Sequence, residues 1–520
     1  MEQANKMLKT ASFMAIATLL AKLCGMARDM LIASFYGSGI QATAFMTATK
    51  LPTTLFDIVI GGVISATFIP VFNTVMQKDS KQEAVKFANK FITMVFFITI
   101  LITIVGITFS SPLISILAPG IDAETHELAR QLSNIMFPMI IFTGLAFSFV
   151  GILQSFGEYN IPSIISLISN VAIILYFVLF GNRFGVKGLA VTMLVAWSLQ
   201  VIVQIPSLYK FKFRFRPNFH LNDPNIKHAL LLALPMLVST WVQPLYSFVN
   251  TRIASGIANG SAIALLEYSN RLYIIVVGVF SFVVTNLIYP KLSRANAAGD
   301  KDSAKGLIVT SLKSIAIVIL PLMAGFIILS KPIISIIYGH GKFTPSDISM
   351  ASIALACYSF GMLGMAVNEI LSKSLFSMQN SKVPMITAIC SMVVNIILAY
   401  TLSHFIGIGG LALASAGGST VNAIMNYLFM KKHHKKLFTK QDVISILKTV
   451  LCALIMAAAV FFFYRFLAVR LPDTKLGSLI IGGSCAAVGV VVYGISCYVI
   501  GVTEIKNLVN GFFQKITSRS

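Results

Sequence analysis

Apolar stretches of about twenty residues alternate with short polar turns along this chain, the length a helix needs to cross a bilayer at about 1.5 Å per residue. The apolar windows centre near residues 24, 60, 100, 143, 170, 197, 241, 276, 317, 362, 393, 420, 454 and 489. The pattern predicts an all-α polytopic membrane protein with fourteen transmembrane helices. The polar turns differ in charge. Loops including Lys78–Lys90, Lys210–Lys227, Lys291–Lys305 and Lys431–Lys440, with the two ends, hold about 24 Lys and Arg, against roughly 8 in the opposite loops. The positive-inside rule therefore puts both termini in the cytoplasm and the acidic turn Asp122–Glu127 outside. The first apolar run continues through Arg28-Asp29 without a small-residue cleavage site, so it reads as a retained helix.

The two halves repeat at a nearly constant offset. Ile32-Ala33-Ser34 recurs as Ile253-Ala254-Ser255, 221 residues on, and Pro70 matches Pro290 at 220. Pro162 matches Pro384, and Gly185-Val186-Lys187-Gly188-Leu189-Ala190 matches Gly407-Ile408-Gly409-Gly410-Leu411-Ala412, both at 222. Six helices per half is an even number, so the copies share one orientation. That predicts two six-helix lobes related by a pseudo-twofold axis along the membrane normal, with the substrate site between them. The expected divisions are an N-terminal lobe, 1–216, a C-terminal lobe, 217–440, and two additional helices with a cytoplasmic tail, 441–520.

Composition agrees with the class: 57% of the 520 residues are hydrophobic and 11% charged, where soluble domains carry about 25% charge. A net charge of +22 would suggest nucleic acid in a soluble protein; here the basic cytoplasmic loops account for it, and no nucleic-acid partner is expected. The six cysteines lie in apolar segments without paired spacing and read as small buried hydrophobes. Lys210-Phe211-Lys212-Phe213-Arg214-Phe215-Arg216 alternates basic and aromatic residues. It could bind anionic lipid headgroups, though a cytoplasmic linker accounts for it more simply. In Lys431-Lys432-His433-His434-Lys435-Lys436 the adjacent histidines lack the spacing of a zinc site.

Charges inside apolar spans are costly and seldom face lipid, so they mark candidate chemistry. The first span carries Lys22, Arg28 and Asp29, and the second Lys50 and Asp57, seven residues apart on one helix face. Arg252 lies near the outer end of the seventh span, where it could snorkel. Glu267 and Arg271 lie on the eighth. Glu369 and Lys373 on the tenth stand at i,i+4, where they can neutralise each other. Asp29 and Asp57 are too few to neutralise Lys22, Arg28, Lys50 and Arg271, and the surplus positive charge suits a phosphate. Gly61 and Gly62 in helix two, and Pro235 and Pro244 in helix seven, should loosen or kink their helices and serve as gating hinges; packing by small residues explains the glycines equally well. No GxxxxGK[ST], HExxH or GxSxG motif is present, so neither a built-in ATPase nor another enzyme activity is expected, and no cofactor or metal is implied.

Leu19-Leu20-Ala21-Lys22-Leu23-Cys24-Gly25-Met26-Ala27-Arg28-Asp29-Met30-Leu31-Ile32-Ala33, then Phe35-Tyr36-Gly37-Ser38-Gly39, Ala44-Phe45 and Lys50-Leu51-Pro52, resembles the opening of the MurJ/MviN lipid II flippases. Gly62 to Val71, Tyr268-Ser269-Asn270-Arg271-Leu272 and Ile288 to Ser293 resemble later motifs of that family, and the resemblance runs the length of the chain. It implies a MOP-superfamily exporter that carries undecaprenyl-pyrophosphate-linked peptidoglycan precursor from the cytoplasmic to the outer leaflet by alternating access. The family's important basic residues fall on Lys22, Arg28 and Arg271. Its acidic residue before "A-F-F" falls on Thr43, its helix-two arginine on Phe56 and its helix-eight aspartate on Asn270. Lys22, Arg28 and Arg271 are expected to form an anion clamp that Asp29 orders, with Lys50 and Arg252 as further substrate contacts. Expected partners are the lipid-linked precursor and membrane lipids, with cell-wall synthesis enzymes as further candidates. The expected location is the bacterial cytoplasmic membrane. The alternatives are a sister exporter of another polyprenyl-linked glycan and a non-transporting envelope scaffold.

Overall fold

The computed structural model describes residues 2–61, 64–181, 183–219, 223–433, 437–472 and 474–506. Among them every regular element is helical. Many helices begin at a polar side chain that accepts a free backbone N–H of the first turn: Ser80 from Glu83, Asp122 from Thr125, and Asp300 from Ser303. Thr344 and Thr439 form reciprocal capping boxes with Asp347 and Asp442.

Among the described residues nine helices are long and apolar enough to span a bilayer. Two bent pairs, Ala123–Met136 with Met139–Ser155 at 41° and Pro345–Ser359 with Met362–Ser377 at 43°, have the length and apolarity of a span when each pair is taken together. The remaining expected spans fall on Glu2–Tyr36, on the helical run from Ile40, and on Pro224–Ser255. The architecture is compatible with fourteen.

The repeat is visible in the elements themselves. Lys81–Thr108 and Lys301–Ile328 are both 28 residues long and begin 220 positions apart. The short helices Ser110–Leu117 and Ser330–Tyr338 also begin 220 apart, and the two bent pairs 222 apart. The compact units nevertheless divide between Ala264 and Leu265, so the helix Pro224–Ser255 packs within the first unit. Its neighbours there include the widened turns of the second helical run and the helix Ser110–Leu117.

The first unit is built round aromatic packing, with Phe68 stacked among Phe72, Phe87 and Phe91, all essentially inaccessible. In the second unit Tyr268 packs against Tyr338 and Phe343. The last two long helices, Lys440–Arg470 and Lys475–Ile500, join that unit through a core containing Cys452, Cys485 and Cys497, all free thiols. The first turn of Lys440–Arg470 and the segment after Ile500 are tied to Lys313, which meets Glu504 at 2.7 Å and Asp442 at 3.3 Å. Burial alone would raise the Glu504 carboxyl, but the Lys313 ammonium hydrogen-bonded to it leaves it below the usual carboxylate range.

Replacing Lys313 by Met would leave Asp442 and Glu504 facing each other partly buried. The expected cost is about 1–3 kcal/mol, read as a lower thermal midpoint in detergent, with Lys313→Met/Glu504→Gln less than additive. Because the Glu504 pKa is lowered by folding, its stabilisation is present above about pH 4.5 and is lost as pH falls below that. An unchanged midpoint in the single variant would remove the tie.

Candidate functional site

The first helix, Glu2–Tyr36, and the helix Asn160–Phe180 pack along a seam with matching register: Arg28 meets Asn170, and seven residues on in both, Phe35 stacks on Phe177 at 4.9 Å. Equal steps in the same direction make the two helices parallel, as the first and fifth spans of an up-and-down bundle must be. Ala21, Gly25 and Arg28 lie at i, i+4 and i+7 on the face toward Asn170. A Cβ added at Gly25 would meet the Asn170 amide nitrogen at 3.5 Å, and that amide donates to the Ala21 carbonyl at 3.1 Å. Small residues let the helices approach, and the polar side chain crosses the gap.

Arg28 is held from two sides. Its Nε and Nη2 donate to Asp29 Oδ1 at 2.9 and 2.7 Å, and its Nη1 donates to Asn170 Oδ1 at 3.0 Å. The Arg28 side chain is 17% exposed and that of Asp29 6%. A guanidinium carries five N–H groups, so two of Arg28's have no acceptor among the described residues. The result is a charge fixed in orientation and still able to donate. Lys22, half-buried two turns before Asp29 on the same helix side, forms no ion pair with a described residue.

The other expected residues are placed as follows. Lys50 is half-buried. Asp57 lies open at the surface and forms no ion pair with any described residue, Lys50 included. The regular register the two were expected to share ends at Phe56, where the chain widens into π-helical turns, Asp57–Gly61 and Ile64–Phe68. The extra residue per turn misaligns the carbonyl ladder, and the Trp241 indole N–H takes the Ile58 carbonyl at 2.6 Å. Gly61 sits in the first of these turns; Gly62 lies outside the described residues.

Pro224–Ser255 is assigned as one helix through Pro235 and Pro244, of which Pro244 is buried; the side chain of Pro235 lies outside the described set. Arg252, near that helix's end, donates to the Ile116 carbonyl, while Ser255 Oγ accepts from Gly120 N–H at 3.1 Å. A Cβ at Gly120 would lie 2.6 Å from the Gly256 backbone, so this end of the helix is seated closely on the 116–121 turn. Arg252 therefore belongs to a different neighbourhood of the first unit from Arg28.

Arg271 belongs to the second unit, on the helix Ser261–Ala297. Tyr268, Ser269, Leu272 and Tyr273 on that helix are buried. Ser269 donates to Ala351 O at 2.8 Å, and Tyr273 packs on Tyr358 at 5.7 Å. Arg271 is exposed on another side of the helix, four residues from half-buried Glu267. Glu369 and Lys373 were expected to pair, but both are exposed and no ion pair forms between them. Spacing at i,i+4 puts two side chains within reach of each other but does not by itself hold their rotamers together.

Asn170 and Trp241 escaped the sequence reading, which weighed only charged residues. An asparagine alone in Ile164–Leu175 was the available signal, since an unpaired amide is costly in hydrocarbon. Among the described residues no cluster of His, Cys, Asp and Glu could hold a metal ion.

The family model described as lipid II flippase MurJ matches residues 32–471. A probable lipid II flippase MurJ of Buchnera aphidicola subsp. Acyrthosiphon pisum is 28% identical over 480 residues, 91% of this chain and 93% of the relative. The lipid II flippase MurJ of Burkholderia cenocepacia is 26% identical over 423 residues, covering 80% and 82%. Among solved structures, a lipid II flippase MurJ in an inward closed conformation superposes with a TM-score of 0.79 at 24% identity, covering 95% of this chain and 99% of that one. An inward-facing multidrug-resistance MATE transporter of the MOP superfamily gives a TM-score of 0.68 at 17% identity, covering 81% and 98%, so the fold is shared more widely than the sequence.

Arg28→Lys keeps the charge but cannot reach Asp29 and Asn170 together through a planar fork, and is expected to lower transport about tenfold or more. Asn170→Ala frees one guanidinium N–H and the Ala21 carbonyl, and should give an intermediate loss. Both are read by substrate delivery at matched expression; wild-type delivery by Arg28→Lys would show that orientation is unimportant.

Proposed function

The chain belongs to the MurJ family of lipid II flippases, and we propose that Arg28, oriented by Asp29 and Asn170, is the centre of its grip on the pyrophosphate of lipid II. The protein translocates lipid II across the membrane. The observation that carries the site assignment is the half-satisfied guanidinium: fixed by two acceptors, largely enclosed, and with two N–H groups left to donate. Lys22 adds a second charge on the same helix, and Lys50 and Arg271 are further residues proposed for the anion. Arg252 takes part at the outer end of helix seven.

Delivery runs from the cytoplasmic to the outer leaflet by alternating access. Helix seven is the moving element, with its hinge at Pro235 and Pro244, and the turns around Gly61 and Gly62 yield on the facing helix. Support for this comes from the two π-helical turns and from helix seven's polar attachments, Trp241 to Ile58 at one place and Arg252 to Ile116 with Gly120 to Ser255 at the other, hydrogen bonds that can be exchanged. Without a nucleotide-binding loop, the driving force is an ion gradient, the membrane potential or consumption of the product. The protein performs no covalent chemistry. The lobes are 1–216 and 217–440, with 441–520 as an addition, and both termini are cytoplasmic in the bacterial inner membrane.

The deciding experiment depletes a host's own lipid II flippase, expresses this chain, and measures lipid II in the outer leaflet. Rescue by wild type and loss in Arg28→Ala/Arg271→Ala is the expected result. Equal rescue by both would discard the clamp, and no rescue by well-expressed wild type would point to another polyprenyl-linked glycan. Orientation is checked separately with single cysteines at exposed positions: one at Glu124 should react with an impermeant maleimide on intact cells, and one at Ser303 should not.

A further inference from the structure

Between the sixth and seventh expected spans the chain is bound to the protein along most of its path. The helix Ile205–Lys210 closes with Lys212 in the left-handed region, φ 61, its N–H on Tyr209 O, while Phe213 N–H reaches Leu208 O, both at 2.9 Å. This double closure, with Leu208 and Phe213 buried together, fixes the direction in which the chain leaves. It then runs without regular structure along the helix Lys81–Thr108. Phe211 stacks on Phe156 at 5.4 Å and its carbonyl accepts from Lys81 Nζ at 3.2 Å. Arg216 N–H donates to Asn89 Oδ1 at 3.1 Å, Asn218 N–H donates to Thr93 Oγ1 at 3.0 Å, and the Phe219 ring lies 5.5 Å from that of Phe97. Asp223 then meets Lys90 at 2.6 Å and caps the next helix.

Those partners give the depth of the segment. Asn89, Thr93 and Phe97 lie about 12, 18 and 24 Å along the axis from Lys81. The charged residues of that helix, Lys81, Glu83, Lys86 and Lys90, end where its apolar run begins at Phe91. The segment thus passes from headgroup level to the edge of the hydrocarbon. Irregular backbone at that depth needs acceptors from the protein, and Asn89 and Thr93, 7% and 1% exposed, supply two. On the outside of the segment Lys210, Lys212, Arg214 and Arg216 are all exposed, and none pairs with an acid among the described residues. Tyr209, Phe215, Phe219 and Phe97 are exposed beside them.

We propose that residues 209–219 are a docking surface for anionic lipids of the cytoplasmic leaflet. Four basic side chains meet headgroup phosphates, and the exposed aromatic rings sit among the glycerol and upper acyl groups. A soluble acidic partner would satisfy the charges but not the rings, which stand beside the apolar part of a spanning helix where only lipid meets them. The inference rests on the orientation proposed above, and the cysteine labelling tests that independently.

The test places the full-length protein in nanodiscs of phosphatidylcholine and phosphatidylglycerol and measures, by mass spectrometry, how far phosphatidylglycerol is enriched among retained lipids. The variant combines Lys210→Gln, Lys212→Gly, Arg214→Gln and Arg216→Gln, glycine being suited to the left-handed position. Its enrichment should fall by about half or more, and wild-type enrichment should fall with added salt. Unchanged enrichment in a variant of normal thermal midpoint would overturn the proposal. So would displacement of the lipid by inorganic phosphate at constant ionic strength, which would mark a soluble-anion site. If the variant fails to fold, Phe219→Trp in the otherwise native chain should be quenched more by brominated phosphatidylglycerol than by brominated phosphatidylcholine; equal quenching would equally overturn it.

Discussion

A guanidinium surrounded by apolar helices has to be satisfied by the protein, because the bilayer offers it nothing. Leaving an arginine near the bilayer centre without partners costs at least roughly 2.5–3.5 kcal/mol. The seam between Glu2–Tyr36 and Asn160–Phe180 is built round that requirement: Asp29 supplies the counter-charge, Asn170 the second acceptor, and Gly25 the space for the helices to close. Helix approach and polar satisfaction, and on the proposed assignment the hold on substrate, are therefore set by the same few side chains. A change that loosened the seam would disturb all three together.

The same rule governs the irregular parts of the backbone. Where the second helical run widens, an indole from helix seven donates to one of its carbonyls. Where the chain between spans six and seven loses regular structure at membrane depth, two buried polar side chains of a spanning helix accept its N–H groups. Asn89, Thr93, Asn170 and Trp241 look incidental in the sequence, yet each answers a backbone or charged group far along the chain. In a membrane such partners are obligatory, so a polar residue in an apolar span is informative even when it carries no charge.

That explains which features were legible in advance. The spans could be read because hydropathy is summed over some twenty residues, and the repeat because it preserves spacing; the equal lengths and offsets of Lys81–Thr108 and Lys301–Ile328 reproduce it in three dimensions. Arg28 and Asp29 could be read from their cost in the membrane. Asn170 could not be assigned to Arg28, because 142 residues separate them and only packing brings them together. Glu369 and Lys373 erred the other way: i,i+4 spacing on one helix put them within reach, yet both side chains are exposed and form no ion pair with each other. Nor does sequence periodicity dictate packing. Helix seven starts the second copy of the repeat, but its contacts place it in the first compact unit.

A carrier must release what it binds, and the composition of the Arg28 cluster bears on that. Were Arg28 and Lys22 both unopposed, two fixed charges in a low-dielectric site would hold a pyrophosphate strongly enough to slow its departure. Were each matched by an acid, the anion would meet no net field. Asp29 occupies Arg28 through one edge of its fork while the remaining N–H groups stay available, so on the proposed assignment the carboxylate offsets part of the charge offered to the anion. Affinity is thereby reduced without giving up orientation. A neutral amide, Asn170, completes the hold on Arg28 and adds no further negative charge. On the proposed assignment an acid at position 170 would instead offset the remaining charge of Arg28, and the site would attract phosphate less.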